Sequence, residues 1–241
     1  MAAPDQWHNH GFVYLEDVIE RWNATGERGL VLASGGFDSA YMLWRLSQEV
    51  EGVIPVHHVF GGNPNMDFMR AQQSCLMDQI AALGNERFDV HKTLIHAATK
   101  DDEPCRELYL FPMLSVNLAK SLGCKTIVIG DEEYGRGSYA TASPGTTREI
   151  IAFREFIEMQ SGVNLGFGTD ITDLTAAYAK LPPDVASATW SCRFPKMDRH
   201  TSYRCGSCKP CRYARKSVKW GMMPPKHTLA IGGIHGTVAA E

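Results

Sequence analysis

The sequence lacks a dominant charge. Its 24 lysines and arginines face 27 aspartates and glutamates, for a net charge of −3, which excludes a chain that grips nucleic acid through overall positive charge. It also lacks any run near the roughly 18 apolar residues of a membrane helix. The N-terminus, MAAPDQWHNHGF, has neither the basic start nor the apolar stretch of a secretion signal. A cytoplasmic protein without a membrane partner is therefore expected. Internal repeats and low-complexity tracts are missing as well. What is present is a 241-residue chain, 44% hydrophobic and 10% aromatic, long enough for one large domain and a small accessory module.

Seven cysteines need a use other than disulfides in a reducing compartment. Cys75, Cys105 and Cys124 stand alone among apolar neighbours and read as buried small hydrophobes. The other four cluster near the end of the chain.

Leu15, Val18, Ile19 and Trp22 fall at helical spacing. GLVLA (29–33) then reads as a buried strand, and a helix carrying Met42, Leu43 and Leu46 follows. VIPVHHVF is a second strand, a helix spans about Met66 to Leu83, and RFDVHKTLI is a third strand. Pro104 suits the first turn of a helix ending near Gly123, and KTIVIG is the fourth strand. Apolar strands alternating with helices imply an α/β fold, a doubly wound, mostly parallel sheet with helices on both faces. Past residue 160 the pattern loosens into GVNLGFGTD, a short helix TDLTAAYAKL, and the cysteine-rich segment.

Between the first strand and its helix lies Ser34-Gly35-Gly36-Phe37-Asp38-Ser39. Ligands of such sheets sit beyond the carboxyl ends of the strands. The unbonded N–H groups of the helix start, with the helix dipole, favour an anion there. Two glycines let the backbone approach a phosphate, and Ser34 and Ser39 can donate from their hydroxyls. Asp38 beside an anion points to a bridging cation such as Mg²⁺. The lysine of the GxxxxGK[ST] loop and the third glycine of GxGxxG are both absent. An ordinary helix cap is the plainer reading of the same residues.

This stretch resembles the SGGxDS pyrophosphate loop of the PP-loop ATP pyrophosphatase superfamily. The resemblance implies cleavage of ATP to AMP and pyrophosphate, with Ser34, Gly35, Gly36, Phe37, Asp38 and Ser39 holding the nucleotide and Asp38 and Ser39 serving catalysis.

The last four cysteines run Cys192, Cys205, Cys208, Cys211. Two-residue gaps turn successive thiolates onto one ion, and four thiolates make a structural zinc site. An iron–sulfur cluster is the competing use, though the usual fourth cysteine and its proline do not follow Cys211. Thr189-Trp190-Ser191-Cys192 followed by Cys205-Gly206-Ser207-Cys208-Lys209-Pro210-Cys211 is similar to the zinc segment of the 7-cyano-7-deazaguanine synthase family. That likeness spans about residues 29–218 and includes Leu110-Phe111-Pro112-Met113-Leu114-Ser115. It implies a C–N ligase that uses ATP and ammonia to turn a deazaguanine carboxylate into amide and then nitrile, in queuosine-type or DNA-modification pathways. Zn²⁺ is implied as a structural ion.

Two stretches depart from that family. Phe60-Gly61-Gly62-Asn63 replaces its Tyr-Gly-Gln segment, and Gly130-Asp131-Glu132-Glu133-Tyr134-Gly135-Arg136 replaces its substrate stretch. Phe60 and Gly130 are expected near the adenine nucleotide. Asp131, Glu132, Tyr134, Arg136 and Arg148 are the expected substrate contacts, Arg148 offering a fork to a carboxylate. A ligase for another carboxylate and a tRNA thiolase on the same scaffold are the alternatives. His57, His58, His91 and His96 show no metal spacing.

The expected organisation is an N-terminal helical extension (1–28), an ATP-binding domain (29–180), a zinc segment packed on it (181–220) and a tail (221–241). The tail is either disordered or an arm across a subunit interface. A homodimer is expected. Nine basic residues between 192 and 219 read as a solvated face, and a nucleic-acid partner is not expected.

Overall fold

The computed structural model describes residues 15–61, 66–84, 91–96, 107–130, 144–167, 180–192, 196–198, 201–208, 211–212 and 227–228. The elements in chain order are α1 (Leu15–Thr25), β1 (Gly29–Leu32), α2 (Phe37–Glu49), β2 (Val53–Gly61), α3 (Met66–Leu83) and β3 (His91–His96). They continue with α4 (Glu107–Ser121), β4 (Thr126–Ile129), α5 (Pro144–Ser161), β5 (Asn164–Phe167) and the short α6 (Pro183–Ser187). The last three strands are β6 (Lys196–Asp198), β7 (Thr201–Tyr203) and β8 (His227–Thr228).

Five strands form one sheet in the order β3-β2-β1-β4-β5, and every pairing is parallel. Alternation along each strand divides the core in two. Val31 of β1 and Val128 of β4 join Leu43, Leu46, Leu76 and Val185 on one face. Leu30, Leu32, Ile127 and Ile129 face the other way, onto Ala119 of α4 and Ile157 of α5. Both faces are apolar because both are covered, and this is the doubly wound α/β arrangement.

Leu15, Val18, Ile19 and Trp22 of α1 lie in the same cluster as β1 and α2, so α1 belongs to the core. Leu181 and Val185 lie in that cluster too. Trp22 packs on Gly29 so closely that a Cβ there would come 1.9 Å from its ring. Glycine at 29 is therefore a packing requirement, not a conformational one.

The structure corrects the pattern in two places. Asn164–Phe167, within the stretch that loosens in sequence, is a fifth parallel strand. It is short and lacks a β-branched run, and of its side chains Leu165 lies fully in the core. Helix α5 escapes apolar periodicity because Arg154, only 2% exposed, interrupts its buried face. β3 is described over His91–His96, and residues 87–90 of the expected RFDVHKTLI strand lie outside the described ones. The 172–179 part of the expected TDLTAAYAKL helix, Cys105 and the Pro104 turn also lie outside them.

Within the cysteine-rich segment β6 and β7 form an antiparallel hairpin, and β8 from the tail pairs with β7.

Candidate functional site

β1 ends at the centre of the sheet, between β2 and β4. There the chain order reverses, which opens a crevice beyond the carboxyl ends of the strands. Residues 34–39 occupy that position. Gly35 has φ +80°, a conformation costly for any residue with a Cβ, and Gly36 returns to extended backbone as the N-cap of α2.

Two serines close the loop. Ser34 N–H donates to Ser39 Oγ at 3.2 Å, and the two hydroxyls lie 3.3 Å apart. Gly36 N–H donates to Ser34 Oγ at 3.1 Å, and Ser39 Oγ donates to the Gly36 carbonyl at 3.1 Å. Every hydroxyl proton has a place if Ser34 donates to Ser39. Ser34 is exposed, Asp38 partly so, and Ser39 is buried at 4%. The Phe37 ring joins the core and packs on Tyr41, ring centroids 6.4 Å apart. What Phe37 brings to the loop is its backbone.

Gly130, immediately after β4, reaches the same place. A Cβ there would meet Met42 Cε at 2.7 Å and the Asp38 carbonyl carbon at 3.4 Å. β2 runs on past β1: Val56 pairs with Leu32, and Phe60 pairs only with Ile95 of β3. Phe60 thus stands about 13 Å beyond the end of β1, at ~3.3 Å per residue. Arg148 lies within α5. Asp131, Glu132, Tyr134 and Arg136 lie outside the described residues.

The second centre is the set Cys192, Cys205, Cys208 and Cys211, whose sulfurs all lie within 4.8 Å of one another. Tetrahedral zinc with Zn–S near 2.3 Å needs sulfurs about 3.8 Å apart, so four thiolates here fit one metal ion. Backbone amides already point at the sulfurs: Cys205 N–H lies 3.2 Å from Cys192 Sγ, and Cys208 N–H 3.3 Å from Cys205 Sγ. Such bonds orient thiolate ligands. Burial works to raise the Cys205 thiol, but the Cys208 amide and the Ser207 hydroxyl hold it below the ordinary range. Cys211 is pushed up, first by its hydrogen bond with Cys192 and then by burial.

Cys75 of α3 is fully buried against this centre, beside Trp190, Cys192 and Cys211. Burial pushes its thiol up to about 12, with Arg204 opposing and Asp78 adding. That environment suits a small packed hydrophobe and not a fifth ligand.

The two centres are joined. Trp190 N–H donates to the Gly35 carbonyl at 2.8 Å, and Phe37 N–H donates to Ser191 Oγ at 3.0 Å. Cys192, the next residue, is a cluster cysteine whose carbonyl accepts from Trp190 Nε1 at 3.2 Å. Arg204 lies over the Trp190 ring, 5.6 Å from its centroid, and donates to the Thr189 carbonyl. Gln79 of α3 donates from Nε2 to both the Gly35 and Ala188 carbonyls, at 2.9 and 3.1 Å.

Sequence pattern singles out neither Gln79 nor the latch made by Trp190 and Ser191. Gln79 does leave a trace: a polar residue three after Leu76 and one before Ile80, on an otherwise apolar helix face.

No family model matches this chain, and no curated protein does. Among solved structures, a universal stress protein in complex with cAMP is similar over 60% of this chain and 98% of its own, at 17% identity and a TM-score of 0.33. The likeness is slight. By its own features the chain is an α/β protein with a parallel sheet and a cysteine cluster able to hold a metal ion. Among the described residues no helix is long and apolar enough to cross a membrane.

Proposed function

We propose that this chain is a PP-loop ATP-dependent C–N ligase, acting with ammonia on a carboxylate like that of 7-carboxy-7-deazaguanine. The observation that carries the reading is the Ser-Gly-Gly-Phe-Asp-Ser turn at the end of the central strand. It is glycine-paired, closed by Ser34 and Ser39, and has no P-loop lysine. Its position at the switch point of the sheet supports a nucleotide ligand. Its bonds to the Trp190 and Ser191 backbone and side chain support one site built from loop and cysteine segment together.

In this reading the β- and γ-phosphates of ATP rest on the loop. The substrate carboxylate oxygen attacks the α-phosphorus, and the bond to the bridging oxygen breaks to release pyrophosphate. Ammonia then adds to the acyl carbon, AMP leaves, and a proton is lost to give the amide. A second attack, by the amide oxygen on another ATP, and loss of AMP and a proton yield the nitrile. Mg²⁺ would neutralise phosphate charge, with Asp38 the residue to hold it. Zn²⁺ on the four cysteines would fix the segment that latches the loop. No covalent enzyme intermediate is required; placement and charge compensation lower the barrier.

The test supplies ATP, Mg²⁺, ammonia and 7-carboxy-7-deazaguanine, and follows nucleotide and base by mass spectrometry. AMP with a nitrile supports the proposal. ADP contradicts the loop assignment, and AMP formed only with a different carboxylate moves the substrate while keeping the scaffold.

A further inference from the structure

We infer that Gln79 is a positioning residue: it locks the peptide between Gly35 and Gly36 so that its carbonyl faces inward and its amide faces the anion. The inference rests on the ATP reading of this loop. Gln79 is 0% exposed, and its Nε2 lies 2.9 Å from the Gly35 oxygen and 3.1 Å from the Ala188 oxygen. Only an NH₂ group can meet two carbonyls, so chemistry fixes which way the amide is turned. Its Oε1 finds no partner among the described residues. A buried acceptor without a partner is destabilising, so the two donated bonds are what this side chain contributes.

Those bonds matter because of the peptide they hold. In a trans peptide the carbonyl and the following N–H point in opposite directions. With the Gly35 carbonyl held inward by Gln79 and by Trp190 N–H at 2.8 Å, the Gly36 N–H is turned the other way and donates to the Oγ of the exposed Ser34 at 3.1 Å, a bond that an arriving phosphate oxygen would take over. Sterics alone do not keep it there. A peptide flanked by two glycines meets no Cβ on either side when it turns over, and Gly35 already sits at φ +80°. Turned over, the carbonyl would face the arriving phosphate and repel it. The freedom that lets the backbone approach an anion also lets it present the wrong pole, and the donors on Gly35 remove that choice. Of the two, only Gln79 donates through a side chain and can be replaced.

The test compares the parent with Gln79→Met, which keeps the length and loses the donors. Magnesium pyrophosphate is titrated calorimetrically, ATP kinetics are measured, and metal per chain is counted. The expected result is about tenfold weaker pyrophosphate binding and about tenfold higher KM for ATP, with kcat within twofold and metal unchanged. Loss of one such bond corresponds to roughly that factor, and a KM effect at constant kcat marks lost ground-state placement. If Gln79→Met fails to fold, Gln79→Glu, which sets a carboxylate against the two carbonyls, is measured in its place, with at least the same loss expected. Parent-like pyrophosphate affinity in a folded, metal-loaded variant would overturn the inference and leave the ATP reading standing. A parent that neither binds pyrophosphate nor forms AMP would overturn both.

Discussion

Ser39 is buried, yet its hydroxyl meets Ser34 N–H, Ser34 Oγ and the Gly36 carbonyl. Replacing it with alanine takes the acceptor from the Ser34 amide, while the Gly36 carbonyl keeps its bond from Ala40 N–H at 3.0 Å. Ser39→Ala is expected to lower stability by about 1–2 kcal/mol and to weaken ATP binding, read by urea denaturation and by calorimetry. Ser34, exposed at the rim, is expected to cost little stability on the same change. Cys124 offers a pH signature. Burial raises its thiol above the ordinary 9.0, with Arg28 opposing. The folded chain therefore keeps a proton that the unfolded chain releases. This contribution to stability is whole below pH 9 and is lost as pH rises past it. Iodoacetamide at pH 8 should leave Cys124 unmodified in the native protein and label it in urea, as peptide mass spectrometry would show; native labelling at the unfolded rate would refute the burial. At this scale the sequence was informative for serines, glycines and cysteines, whose chemistry is local. It was silent on Gln79, and it gave Ser191 a place in the cysteine segment but no link to the loop, because these roles exist only where residues 79 and 191 meet residues 35 and 37 in space.

Among the elements, α1 and β1 show how tightly a helix can be tied to the sheet. A Cβ on Gly29 would fall 1.9, 2.4 and 2.8 Å from three ring atoms of Trp22. Gly29→Ala must move the indole or the strand, at a cost of about 3 kcal/mol. A cycle with Trp22→Leu should show coupling above about 1 kcal/mol by chemical denaturation; simple additivity would mean that the helix shifts freely. Gly130→Ala is expected to be milder, since the nearest atom is the end of Met42, a flexible side chain. Strong apolar runs made β1, β2 and β4 legible, because strands covered on both faces need no polar alternation. β5 and α5 were not, for a shared reason: neighbours decide their burial. Arg154 lies inside with Glu158 3.5 Å from its Nε, and Glu158 in turn accepts from Leu165 N–H at 3.3 Å. An ion pair within the helix, tied to the strand by one hydrogen bond, thus stands where a periodicity count requires an apolar contact.

For the whole molecule, the fold class was readable from alternation, and the four cysteines from spacing alone. The link between cysteine cluster and loop was not, because it runs through the backbone of Trp190 and the hydroxyl of Ser191. Metal removal should therefore be felt at both places. Stripping the ion, or Cys208→Ser, is expected to lower the unfolding midpoint by roughly 10 °C, at about 3 °C per kcal/mol for a chain of this size. It should also weaken nucleotide binding. Scanning calorimetry with metal analysis reads the first effect, and an unchanged midpoint would mean that the cluster is no staple. The latch also sets a schedule. Synthesis proceeds from the N-terminus, and domains form as units. When residue 167 has emerged, all five parallel strands exist, but the partners that hold the Gly35 carbonyl and Phe37 amide from positions 190 and 191 do not. A nascent or clipped chain ending before residue 188 would carry the five-stranded sheet and Gln79, but a loop that lacks its bonds to Trp190 and Ser191.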